Sequence, residues 1–70
     1  MTVTERFGMR IKELRMQQGI SQEELADRCG LHRTYISDVE LGKRNISLEN
    51  IERIVISLDK TLSDFFKEVE

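Results

Sequence analysis

Residues Gln22 to Leu41 read QEELADRCGLHRTYISDVEL, and the organisation of the whole chain follows from how this stretch folds. Leu25, Ala26 and Cys29 are apolar at helical spacing, and Ile36 and Val39 repeat the pattern after a break at Gly30. Two short helices joined by a tight turn satisfy both. Gly30 takes a positive φ at no steric cost and so permits the turn. Ala26 is small enough for the helices to cross closely, and Leu25, Ile36 and Val39 supply the contacts that fix their angle. Ser21 with Glu24 three residues on is a capping box that starts the first of the two, and the second runs from Arg33 to Glu40.

Outward from this pair the chain stays helical. Phe7, Ile11 and Leu14 make an i, i+4, i+7 stripe that predicts a helix from Thr4 to Gln18, closed by Gly19 with Ile20 folding back. Gly42 closes the Arg33 helix within the loop Leu41 to Ile46. Ser47 then caps a fourth helix whose stripe of Leu48, Ile51, Ile54, Val55 and Leu58 is broad enough to form the central wall of the core and hold the other helices together. A last short helix over residues 63–69 starts near Ser63, with Leu62 before its cap and Phe65, Phe66 and Val69 on it. The expectation is an all-α, compact five-helix domain occupying residues 1–70, with the two-helix motif at 22–41.

Composition narrows the function classes. Seventy residues, 39% hydrophobic and 34% charged, suit one domain, which buries only ~60% of its unfolded surface and gains from oligomerisation. One cysteine, Cys29, and one histidine, His32, exclude a disulfide framework and a cysteine/histidine zinc site. With no glycine-rich phosphate loop and no paired acids in an apolar stretch, there is no material for an enzyme site, a cofactor or a small-molecule ligand. No apolar run approaches the ~20 residues that span a bilayer, and MTVTERFGMR lacks a signal-peptide pattern, so a cytoplasmic protein is expected. The net charge is −2, but residues 28–58 carry five basic and four acidic groups and are the only net positive third.

At 100° per residue, Arg33, Ser37, Thr34 and Asp38 share one arc of the second motif helix, and His32, Ile36, Val39 and Tyr35 the opposite one. The polar arc is the candidate for reading DNA bases. Arg33, at its N-terminal end, can donate two bonds to guanine O6 and N7, and Thr34 and Ser37 can bond base edges or touch a thymine methyl. Asp38 either accepts from a cytosine amino group, orients Arg33, or stands clear of the DNA. Gln22 opens the preceding helix with an amide donor beside free backbone N–H groups, a phosphate-binding arrangement. Lys43, Arg44 and Asn45 follow in the loop. The Tyr35 hydroxyl, at the edge of the polar arc, and His32 are further phosphate candidates, although the position of His32 favours a structural role.

The chain resembles the phage repressor and Cro type of helix-turn-helix domain, from Ile11 to Phe66. The matching residues are Ile11 to Leu14 with Arg15, Gly19-Ile20-Ser21-Gln22, Leu25-Ala26, Gly30, Ile36, Glu40, Gly42 and Leu62-Ser63-Asp64-Phe65-Phe66. Within that family, Gly30-Leu31-His32-Arg33-Thr34-Tyr35-Ile36-Ser37 followed by Arg44-Asn45 is most similar to the controller proteins of restriction-modification systems. The resemblance implies a lambda-repressor-like fold and a transcription regulator bound to a pseudo-palindromic operator. It also implies an ion pair between Arg15 and Glu40, and a loop at Lys43 to Asn45 that meets the DNA backbone near the operator centre. Leu62, Phe65, Phe66 and Val69, more apolar surface than so small a core needs, are the expected homodimer interface. Two other readings use the same fold: an antitoxin-type regulator that docks its toxin on the last helix, and a protein-interaction module without DNA. The acidic balance favours the module; Arg33, Arg44 and Gln22 oppose it.

Overall fold

A computed structural model describes residues 1–67 and 69; Glu68, inside the last expected helix, lies outside the described residues. Five helices follow in order: α1 (Val3–Gln17), α2 (Gln22–Cys29), α3 (Arg33–Glu40), α4 (Leu48–Ser57) and α5 (Leu62–Lys67). The molecule measures 27 × 23 × 21 Å. None of the described helices is long and apolar enough to cross a membrane.

Hydroxyl caps set where the helices begin. Thr2 accepts from the Glu5 N–H at 3.2 Å while the Glu5 carboxylate accepts from the Thr2 N–H at 2.8 Å, so α1 starts one residue earlier than its apolar stripe suggests. Ser21 and Ser47 accept from Glu24 and Asn50 as expected. Only half of the box at Ser21 is made, because the Glu24 carboxylate turns to Arg28 Nη2 at 2.7 Å instead. For α5 the cap is Thr61, whose hydroxyl accepts from the Asp64 N–H at 3.0 Å, so Leu62 lies in the first turn and not before the helix.

The ends of α1 to α4 share one device: a residue in the left-handed conformation, followed by an N–H that reaches back five residues. Ile20 donates to Arg15, Leu31 to Ala26, Lys43 to Asp38 and Lys60 to Val55, at 2.9 to 3.2 Å. Gly19, Gly30 and Gly42 hold the first three turns, and Asp59, at φ 58°, holds the fourth without a glycine.

Phe7, Ile11, Leu14, Ile20, Leu25, Ala26, Cys29, Ile36, Val39, Ile54, Val55, Leu58 and Phe65 form a single buried cluster. Two expectations fail here. Leu48 is 74% exposed: it shares an arc of α4 with Ile51 and Val55 but sits on the first turn, where nothing packs over it. Nor does α4 by itself hold the other helices together, for it packs mainly on α2 and α5, whereas α3 is clasped between α1 and α2. The clasp is tight. A Cβ on Gly8 of α1 would stand 2.2 Å from the Val39 carbonyl oxygen and 2.7 Å from that of Glu40. A Cβ on Gly42 would stand 2.6 Å from Glu5 Cγ, so the loop after α3 rests on the first turn of α1.

Candidate nucleic-acid interface

Because its apolar face is fully enclosed at Ile36 and Val39, α3 presents only one side to solvent. Arg33 and Thr34 are exposed there, and Ser37 and Asp38 half-buried, which is the polar arc expected from the sequence. His32 is not on the apolar arc. It precedes the helix as its N-cap, exposed and without a side-chain capping bond, so the structural role expected for it has no contact to support it. Its ring is left at the surface beside Arg33.

Beneath this face lies the pair that fixes it. Arg15 of α1 donates to Glu40 of α3 twice, Nε to Oε2 at 2.7 Å and Nη2 to Oε1 at 3.0 Å, and its Nη1 donates to the Ile20 carbonyl at 3.0 Å. Both side chains are largely buried, with 12% and 3% of their surfaces exposed. The bonds to the Glu40 carboxylate raise the Arg15 pKa above its ordinary value, outweighing the opposite effect of burial. Gln22 completes the group: its amide donates to Glu40 Oε1 at 3.0 Å. One N–H of the amide assigned to phosphate is therefore committed inside the protein. That bond holds Gln22 at the start of α2, on an open groove lined also by Arg15, Ser21, Glu23 and Arg33.

On the far side of α3 the loop folds back over the helix. Arg44 Nε stands 3.5 Å from Asp38 Oδ2, and the guanidinium carbon lies 4.9 Å from the centre of the Tyr35 ring. Of the alternatives for Asp38, orienting Arg33 gives way to a contact with Arg44. The half-buried Tyr35 packs against the core, and its hydroxyl accepts from Asn50 Nδ2 of α4 at 3.2 Å. Lys43 and Asn45 are exposed. Gln22 and Arg44 thus flank α3, Gln22 bonded to Glu40 at its C-terminal end and Arg44 lying against Asp38 and Tyr35, while Arg33 stands on the helix's own first turn.

At the other end of the molecule, Phe65 is wholly buried, its ring tilted 56° to that of Phe7 with ring centres 5.2 Å apart. It is a core residue, and no surface of it remains for a second subunit. Phe66 is 39% exposed, while Leu62 and Val69 are half-buried against the core. Cys29 is buried, and desolvation pushes its thiol pKa up, which suits a small apolar filler and not a reactive thiolate.

A helix held by its apolar side, with a basic N-terminal turn facing outward, defines a helix-turn-helix protein, and the family model described as helix-turn-helix matches residues 11–65. The chain belongs to this family and, within it, to the controller proteins of restriction-modification systems. Control protein C.BamHI of Bacillus amyloliquefaciens is 51% identical over 63 residues, covering 84% of this chain and 78% of its own. The crystal structure of the restriction-modification controller protein C.AhdI from Aeromonas hydrophila has a TM-score of 0.86 at 44% identity, covering 90% of this chain and 96% of that one. C.Esp1396I, solved as a tetramer in complex with its natural 35 base-pair operator, has a TM-score of 0.92 at 32% identity, covering 99% of this chain and 91% of its own.

Proposed function

We propose that this chain is a sequence-specific regulator that binds double-stranded DNA as a homodimer and controls a restriction-modification operon. The observation that carries the reading is the placement of Arg33 and Thr34, exposed on the first turn of α3 while the rest of that helix is anchored through Ile36, Val39 and Glu40. A helix buried on one side and free at its N-terminal turn can enter a major groove without unfolding anything. Arg33 reads guanine, and Thr34 and Ser37 read the neighbouring base edges. The free edge of the Gln22 amide, the Tyr35 hydroxyl, His32, Lys43, Arg44 and Asn45 meet phosphates on either side.

The dimer rests on the surface that α5 leaves open. Phe66 borders a mainly apolar cavity of about 230 Å³ lined by Val3, Phe7, Ile46 and Ile51, with Thr4 and Asn45 as its polar members. Val3 on its rim is 60% exposed. A twofold-related copy placed on this surface would cover it on both chains at once. The test is binding to DNA across a salt series. Log affinity for random duplex should fall steeply and linearly with log salt, and the complex should be tighter on an operator whose half-site centres lie ~10 bp or a multiple of that apart. A chain that shifts no duplex at low salt would instead be an interaction module.

A further inference from the structure

An acidic side chain on a face that meets phosphates costs affinity, and Asp38 is such a side chain. Its surroundings offer a reason for its presence. Arg44, the cation 3.5 Å away, is gripped on two sides, its Nε edge against Asp38 and its flat face over Tyr35. Tyr35 is itself held by the core and by Asn50. The loop bearing Arg44 also leaves α3 at a turn closed by the Lys43 N–H on the Asp38 carbonyl, at 2.9 Å. The guanidinium, half exposed, is thus biased toward one orientation, with Nη1 and Nη2 left for a further acceptor.

We infer that Asp38 is a positioning residue for DNA discrimination, holding Arg44 over Tyr35 in one orientation. The inference rests on the DNA-binding function proposed above and adds a role in specificity that needs no base contact. A side chain already fixed gives up little rotamer freedom on binding, and that gain is realised only in the register where a phosphate lies within its reach. On random DNA the protein samples many registers, in which a swinging arginine finds a phosphate more often than one held in a single orientation. Asp38 thus favours the operator relative to other sequences.

The experiment compares the operator recovered from random DNA with an unselected duplex of the same length, for the parent, Asp38→Asn, Asp38→Glu, Arg44→Ala and the Asp38→Asn/Arg44→Ala double variant. Asp38→Asn should melt like the parent, bind the unselected duplex more tightly, and lower the operator-over-random ratio about two- to five-fold, the range of an exposed ion pair. In the Arg44→Ala background the same substitution should leave the ratio unchanged, because there is no longer a side chain to position. Asp38→Glu, which keeps the carboxylate, should retain most of the ratio. An unchanged ratio in Asp38→Asn overturns the inference, and so does an equal fall with and without Arg44, which would make Asp38 a direct reader or a mere repulsive charge. A parent that binds neither duplex removes the DNA-binding function itself, an outcome distinct from either of these.

Discussion

Glu40 accepts three hydrogen bonds from two elements that precede α3, and it does so almost out of reach of water. Removing it strands the Arg15 guanidinium in a low-dielectric site, where a lone charge is far more costly than a matched pair. Glu40→Ala and Arg15→Ala are each expected to lower stability by about 3 to 5 kcal/mol, a large part of what a domain this small has. Urea unfolding measures it, and a variant that unfolds at the parent midpoint would contradict the buried geometry. Cys29 gives a second expectation. Its folded-state pKa is raised by burial, so the folded thiol keeps its proton where the unfolded one has lost it. Stability contributed by the neutral thiol is therefore present below about pH 9 and declines as pH rises beyond it. At pH 8 the native thiol should react with a disulfide reagent only as fast as the protein opens; immediate stoichiometric reaction would show it exposed. At this scale the sequence was informative for Ile36, whose type and spacing place it in the core, and for the exposure of Arg33 on the polar arc, while the Arg15–Glu40 pair followed from the family resemblance. The partners of Gln22 and Tyr35 were not legible, because Glu40 and Asn50 reach them from other elements and no local spacing records such contacts.

Helix positions depend on two kinds of glycine in this chain, and they can be separated. Gly19 has open space where a Cβ would go but a φ of 69°, so its cost on substitution is conformational. Gly8 lies in an ordinary helix, yet its Cβ would collide with backbone carbonyls of α3 that cannot rotate away. Gly19→Ala should cost about 1 kcal/mol, and Gly8→Ala about 3 kcal/mol or more as α1 is pushed from α3. Thermal melting of the two variants checks the order, and a Gly8→Ala protein as stable as the parent would mean that the helices are further apart than described. The two-helix motif, the closing glycines and the apolar stripes of α1 to α3 could all be read from local pattern. Gly8 could not, since a glycine needed for close approach looks like any weak helix former. Leu48 misleads for the converse reason: periodicity assigns it to a face, but only the neighbouring elements determine how far along α4 that face is covered.

For the whole molecule, the apolar surface around Phe66 and Val3 and the net charge of −2 pull in different directions. A monomer would offer one α3 and little positive charge to DNA, whereas a dimer doubles the contacts and removes the apolar cleft from water. Sedimentation at micromolar concentration should therefore give twice the chain mass of 8.2 kDa. Val3→Glu, which places a carboxylate in the first turn where the helix dipole favours it, should keep the fold but shift the protein to monomer. A strictly monomeric parent would contradict the assembly. The sequence pointed to the C-terminal helix as the interface. It could not divide the adjacent Phe65 and Phe66 between core and surface, because neighbours on a helix face directions 100° apart and only the packing decides which one turns inward.

Selection of bound sites from random duplex by three proteins decides whether the outward face of α3 reads bases while its flanks hold phosphates. The parent should recover a pseudo-palindrome containing a guanine in each half-site. Arg44→Ala should recover the same pattern with lower affinity and a salt slope shallower by about one unit per half-site, as expected for a lost phosphate contact. Arg33→Ala should lose about 1 to 3 kcal/mol per half-site and its preference at that guanine, while the flanking preferences persist. If Arg33→Ala selects the parent pattern unchanged, α3 is not the reading element, and the DNA, if bound at all, lies against another face.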